Sequence, residues 1–249
     1  MLKELKRVKS TENIYDILNE FLEVGEDSIS LLEEPIDADT QLEYFECSKN
    51  NESNLTVDEI IRKKDLIFDD SFPNDQKKIL LVQLASISNV EAYRTIEKYL
   101  KKPNTKLSKW AYLALLESRL LLESTFLDEN KVLITTGLGG KGNKLRYFIV
   151  FFTDDGSPIT QLQQRIIQNE INYASCRHGA ELEDLIFEED FAYILTVVPI
   201  QIPVQQFFNK ILRECNEFGD FLFNDFIISN VKILSVEEIR ELLAMNDIY

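Results

Sequence analysis

The sequence is short of the residues on which much enzyme chemistry depends. It has one histidine, His178, so a catalytic triad or an imidazole metal site would have to include that side chain. The three cysteines, Cys47, Cys176 and Cys215, lie far apart and form no C-x-x-C pair, which excludes a zinc ribbon and a disulfide framework. A G-x-S-x-G motif is also missing. We therefore predict no catalytic residues, no metal site and no cofactor.

Glycine, proline and long apolar runs are scarce as well. The chain has 8 glycines and 6 prolines among 249 residues, which excludes collagen-like and low-complexity architectures. The longest apolar runs, such as 193–200, are far shorter than the roughly eighteen residues that span a bilayer. Residues 1–9 are charged, and no apolar segment of the kind found in secretory signals follows them. These features predict a cytoplasmic protein with no membrane partner.

Positive charge is in the minority. There are 27 Lys and Arg against 43 Asp and Glu, so the net charge is -16, which argues against a nucleic-acid partner. Residues 10–75 contain nineteen acids and four bases, whereas residues 76–125 contain four acids and nine bases. Another protein could recognise this polarity, although runs of one sign more often keep a surface solvated.

Apolar residues recur at helical spacing through the first half of the chain. The spacing predicts helices over 11–25, 57–64, 79–87, 90–100 and 107–126. Residues 34–56 are polar and punctuated by Pro35 and several asparagines, so we predict a loop there with at most one short helix.

Short turns join the last three of these helices, and alanines stand where neighbouring helices would approach closely. The matching residues are Ala92, Tyr93, Ile96 and Leu100, followed by the run from Trp110 to Leu115. On these residues, the segment 74–125 resembles HEAT or armadillo-type helical repeats. About three such repeats are needed for a stable array, so a plain helical bundle is the competing prediction.

The apolar period changes from 3.6 to 2 at Lys131. We predict strands over 131–136, 144–153, 181–187, 191–200, 221–228 and 231–234, and helices over 158–179, 203–219 and 236–245. Without its first strand, this region has the order β-α-β-β-α-β of ferredoxin-like folds. Residues 146–152 are apolar on both strand faces, so both faces should be covered.

The fold class is therefore α+β, with two domains. A helical, HEAT-like domain is expected over 1–129, and a ferredoxin-like domain over 130–249. The second domain should have an antiparallel sheet with two helices on one face and the C-terminal helix at one end.

One loop concentrates features of an anion site. Residues 137–144 hold four of the eight glycines, and glycine lets backbone N–H groups converge on a phosphate. A strand follows this loop instead of a helix, so it is not a P-loop. The alternative is a plain hairpin loop. The candidate ligand-binding residues are Gly137, Gly139, Gly140, Lys141, Gly142, Lys144 and Arg146.

Two further candidates have simple structural explanations. His178 falls at the end of a predicted helix, where a cation interacts well with the helix dipole. Asp154 and Asp155 follow a strand and could bind a metal or act as a base, but the run Asp-Asp-Gly-Ser-Pro is also typical of a turn.

From these patterns we expect a non-catalytic protein-interaction or scaffold module. The expected partner is another protein, with no nucleic acid and no membrane, and a homodimer is possible. The alternative is a phosphate or small-anion sensor, or an enzyme, that uses the loop 137–144.

Overall fold

The computed structural model describes most of the chain. The described stretches are 29–50, 55–101, 106–127 and 131–245. The chain has an α+β structure and divides into two compact units. The helical unit contains residues 29–32 and 36–134, and the sheet unit contains residues 33–35 and 135–245. The helix predicted over 11–25 lies outside the described residues.

The described residues of the helical unit form five helices and a two-stranded parallel sheet. The strands are β1 (Ile29–Leu31) and β2 (Val132–Ile134). The helices are α1 (Ala38–Asn50), α2 (Val57–Lys63), α3 (Asn74–Ala85), α4 (Val90–Leu100) and α5 (Ser108–Leu127), with a 3-10 turn at Lys64–Phe68. Within the described residues, none of the helices has the length and apolarity needed to cross a bilayer.

Local capping explains where several of these helices begin. The Thr56 side chain accepts a hydrogen bond from the Glu59 N–H, and the Glu59 carboxylate accepts one from the Thr56 N–H. The Asn89 side chain accepts from the N–H groups of Glu91 and Ala92 at the start of α4. The helices predicted over 57–64 and 90–100 are thus confirmed. The loop predicted over 34–56 is wrong, because α1 occupies thirteen of those residues.

The expected HEAT-like array is wrong. In a repeat array, helix pairs stack so that each repeat contacts only its neighbours. In the helical unit, α5 contacts α1, α3 and α4, and α3 also contacts α1, α2 and α4. These helices enclose one core that includes Tyr44, Leu81 and Trp110, so no stack of repeats is present in the described residues.

A buried tyrosine ties the first and last helices of this unit together. Tyr44 on α1 has no exposed surface, and its hydroxyl donates to Oε2 of Glu117 on α5. Ser48, one turn further along α1, donates to Oε1 of Glu117 at 2.8 Å. Burial is the main cause that raises the pKa of Tyr44, and the Glu117 carboxylate raises it further. The ring of Tyr44 also meets Trp110 edge to face, with the ring centroids 5.2 Å apart.

The sheet unit is built around an antiparallel sheet. Its strands are β3 (Gly140–Lys141), β4 (Lys144–Phe152), β5 (Glu181–Phe187), β6 (Phe191–Pro199) and β7 (Ile227–Ser229), and its helices are α6 (Gln161–His178), α7 (Val204–Asn216) and α8 (Val236–Met245). β6 lies between β5 and β4, and the other edge of β4 pairs with β3 and β7. Strand formation over 221–228 was predicted too widely, since only Leu222 makes an isolated bridge before β7.

Both faces of the central strand β4 are covered, as its sequence predicted. On one face, Phe151 meets Phe208 of α7, and the centroid distance is 6.3 Å. On the other face, Phe148 and Phe152 pack in one cluster with Ile239 of α8. The expectation that α8 lies at one end of the sheet is therefore corrected. It lies on the second face because its apolar residues recur every four positions and fill that side.

The start of α6 also differs from the prediction. The helix was expected from residue 158, but it begins after Thr160, whose side chain accepts from the Gln163 N–H. The Gln163 side chain accepts from the Thr160 N–H in return, which completes a capping box. Ser235 and Glu238 form a second capping box at the start of α8.

Replacing Tyr44 with phenylalanine should destabilise the protein. The change removes one of the two hydrogen bonds that the Glu117 carboxylate accepts, and a hydrogen bond to a charged group contributes about 2 kcal/mol. Urea denaturation should report this loss, and Tyr173→Phe is the control because that side chain is 64% exposed. Equal stability of the two variants would contradict the role assigned to Tyr44.

Candidate nucleic-acid interface

The glycine-rich loop of residues 137–144 is closely packed. Gly139 has a φ of +67°, and a Cβ there would lie 2.5 Å from the Glu33 carbonyl oxygen, so only glycine fits without strain. The Gly142 N–H donates to the Glu33 carboxylate at 3.0 Å. A carboxylate therefore already occupies one of the backbone donors that an anion would need.

The three cations of the loop region are also matched by carboxylates. Lys141 and Lys144 both donate to Glu181, at 2.5 and 2.6 Å. Arg146 makes a two-pronged ion pair with Glu183, at 2.5 and 2.8 Å. The structure thus brings these basic residues together, but each faces an acid on β5. That the seven candidate residues of this loop bind a ligand stays a prediction.

This arrangement changes the acidity of the groups involved. Hydrogen bonds from Lys141 and then Lys144 lower the pKa of Glu181 from 4.5 to about 2. The hydrogen bond with Glu183 raises the pKa of Arg146, and that with Glu181 raises the pKa of Lys141. Since the pKa of Glu181 is depressed on folding, its ion pairs stabilise the fold above about pH 4.5. That contribution is lost as the pH falls toward 2.

The other predicted candidates take structural positions. The Asp155 carboxylate accepts from the Ser157 N–H at 2.9 Å, as expected for a turn, and hydrogen bonds from Ser157 lower its pKa. His178 is the last residue of α6, and its ring meets Phe207 edge to face. Cys47, Cys176 and Cys215 are free thiols. Nowhere in the described stretches do three metal-ligating side chains converge.

The unpaired cations of the sheet unit share one location. Residues 135–245 contain nine Lys and Arg. Five of them are in ion pairs: Lys141, Lys144, Arg146, Lys232 and Arg240. The other four, Arg165, Arg177, Lys210 and Arg213, form no ion pair within the described part of the chain and all lie on α6 or α7. Each of these helices has two such cations and a single glutamate.

A groove of about 460 Å³ runs between α6 and α7 and collects three of these cations. Arg177 lines it from α6, and Lys210 and Arg213 line it from α7. The glutamates of the two helices, Glu170 and Glu214, also border it, so the charged side chains of the groove sum to one positive charge. The groove is thus positively charged, whereas the whole chain has a net charge of -16.

Aromatic and apolar side chains form the rest of the groove. Tyr173 is 64% exposed on the α6 side, and Phe207 lies buried beneath His178. Tyr173 and Arg177 are four residues apart on a helix, so they lie on the same face. A flat exposed ring beside unpaired cations offers a stacking surface next to charges that suit phosphates.

Sequence reasoning missed this groove, although a signal existed. Glu170, Tyr173 and Arg177 are spaced by three and four residues, as are Gln206, Lys210 and Arg213. Each set marks one polar helix face. That the two faces meet depends on the packing of α6 against α7 over the sheet, which spacing alone does not show.

Comparison with known proteins gives structural neighbours, among them two transposases. No protein-family model and no curated protein matches the sequence. A candidate transposase from Deinococcus radiodurans R1 superposes with a TM-score of 0.34 and 14% identity, covering 43% of this chain and 92% of that one. A REP-associated tyrosine transposase bound to a REP hairpin superposes with a TM-score of 0.31 and 10% identity, covering 39% and 61%.

Several expectations disagree with these findings. The HEAT-like expectation fails on the single core of the helical unit, and the neighbours found are transposases. The expected non-catalytic interaction or scaffold module is not supported, and the neighbours that the comparison finds are transposases instead. The alternative anion sensor has no support either, since Glu181 and Glu183 neutralise its cations. The expected exclusion of a nucleic-acid partner is not supported either, and one of these neighbours is a transposase bound to a REP hairpin.

The ion pairs at Glu181 give a testable prediction. Carboxyl-carbon NMR should place the titration midpoint of Glu181 at about pH 2, and Lys141→Gln combined with Lys144→Gln should raise it toward 4.5. Lys232→Gln serves as the control because Lys232 pairs with Glu238 instead. A midpoint near 4.5 in the unmodified protein would show that the two lysines do not hold this carboxylate.

Proposed function

We propose that this chain binds a single strand of nucleic acid in the groove between α6 and α7. The observation that carries the proposal concerns the Lys and Arg of residues 135–245 that form no ion pair with any described residue: all of them lie on these two helices. The TM-scores of the structural neighbours are too low to add to this argument.

The charge of the groove supports a polyanionic ligand. Elsewhere in the sheet unit, each cation pairs with a carboxylate on β5, on α8 or in the turn before β6. These paired cations attract no phosphate strongly. Arg177, Lys210 and Arg213 have no such partner among the described residues. Phosphates would release counterions when they replace solvent at these three side chains. The excess of acid over the rest of the chain keeps the bound strand confined to the groove.

The shape of the groove supports a single strand. Its volume is about 460 Å³, which is too small to enclose a duplex and leaves room for part of one strand. Tyr173 is positioned to stack on an unpaired base, and base–aromatic stacking does not require a particular sequence. Duplex bases are stacked on each other and would not reach this ring.

Other expectations remain proposals beside this one. The element order and the strand order β5-β6-β4-β7 support a ferredoxin-like architecture for the sheet unit. We keep the domain division 1–129 and 130–249 and the cytoplasmic location as proposals of the same kind. The free state of all three cysteines is compatible with a reducing compartment.

The proposal predicts salt-dependent binding through three cations. Fluorescence anisotropy with a labelled mixed-sequence 12-mer should give log K against log salt with a slope of about -2, since each phosphate contact on a single strand contributes about -0.7. The triple variant Arg177→Gln, Lys210→Gln, Arg213→Gln should lose most of the binding and most of the slope. Single-stranded DNA and RNA of one sequence, and the corresponding duplex, are tested in parallel.

A matched variant controls for net charge. Arg94→Gln, Lys98→Gln and Lys101→Gln also change the net charge by three, but on the outer face of α4. This variant should bind as the unmodified protein does, and thermal melting checks that both variants fold. Equal loss in the two variants, tighter binding of the duplex, or no binding of any strand at low salt would overturn the proposal.

A further inference from the structure

A second hollow adjoins the groove on the neighbouring face of α7. It has a volume of about 560 Å³ and shares Gln206 and Arg213 with the groove. Asn209 and Asn224 complete its polar lining. Residues 206, 209 and 213 are three and four positions apart, so they form one row along the helix. A strand held at Arg213 can therefore reach the hollow without leaving the protein surface.

One of the two asparagines is oriented by the fold. Asn216 is buried, and its amide donates to the Leu222 carbonyl at 2.8 Å and accepts from the Leu222 N–H at 2.9 Å. The same amide nitrogen donates to Oδ1 of Asn224 at 3.3 Å. Because Oδ1 of Asn224 is engaged in this way, its Nδ2 is the group left to donate hydrogen bonds at the hollow.

The other asparagine is available for a ligand. Asn209 is half-buried and has no hydrogen-bond partner in the stretches that the structure describes. Its side chain therefore keeps both a donor and an acceptor for a ligand at the hollow. An asparagine amide pairs in a two-pronged manner with the N6 and N7 atoms of adenine.

We propose that this hollow is a base-recognition subsite in which Asn209 reads adenine. The proposal rests on the proposed binding of a single strand in the adjacent groove. Arg213 anchors a phosphate between the two spaces, Asn209 pairs with the base, and Asn224 donates a further hydrogen bond at its rim. The groove supplies affinity without base preference, and the hollow supplies the preference.

The test compares homopolymers by fluorescence anisotropy. Labelled 12-mers of dA, dC and dT should all bind the unmodified protein, with dA about tenfold tighter, since a good two-pronged pair discriminates by about that factor. Asn209→Ala should bring the dA affinity down to that of dT and leave dT binding and the salt slope unchanged. Asn209→Gln should keep part of the preference, and Asn172→Ala, on an exposed position of α6, should keep all of it.

The outcomes separate the two proposals. If neither these 12-mers nor the RNA strand of the first test binds at low salt, the groove proposal fails and this one fails with it. If all three bind equally, or if the dA preference survives Asn209→Ala, the recognition subsite is overturned and the groove proposal stands. A second readout is the side-chain amide signal of Asn209, which should shift on addition of dA and stay in place on addition of dT.

Discussion

The pairing of β4 with β6 is the constraint on which the sheet unit depends. Nine consecutive residue pairs, from Lys144 with Pro199 to Phe152 with Phe191, hold the two strands antiparallel. This register places Phe151 on the face that α7 covers and Phe148 on the face that α8 covers. A slip of one residue would exchange the two faces and set each group of aromatic side chains against the wrong helix. The β4–β6 register therefore also sets the positions of α6 and α7, and with them the position of the groove.

The distribution of charge within the sheet unit is more informative than its total. Every lysine or arginine at the sheet or on α8 faces a carboxylate, and the pair of Arg240 with Asp190 even joins α8 to the turn before β6. Only the outer helices have cations without such partners in the described stretches. A strongly acidic protein can therefore present a locally basic surface, and the net charge of -16 does not reveal the sign of the groove.

Local signals were sufficient for much of the fold. The helix Val90–Leu100 and the strand Glu181–Phe187 were predicted with their observed bounds, because a cap or a turn adjoins an apolar period in each case. The helix α1 was missed because it is polar almost throughout and buries only Gln41 and Tyr44. The groove was missed for another reason, since its two walls come from segments about thirty residues apart and meet only through tertiary packing.

The glycine-rich loop limits which sequences this fold accepts. At Gly137 a Cβ would lie 1.9 Å from the Val231 carbonyl oxygen, so backbone occupies the place of any side chain. Gly142, in contrast, has a φ of +60° but open space around its missing Cβ, and asparagine or aspartate adopts that conformation readily. If each position were replaced by all twenty amino acids, only glycine at position 137 would keep the fold. At position 142, glycine, asparagine and aspartate would all be tolerated. Within one loop, a steric contact limits position 137, whereas only the backbone conformation limits position 142.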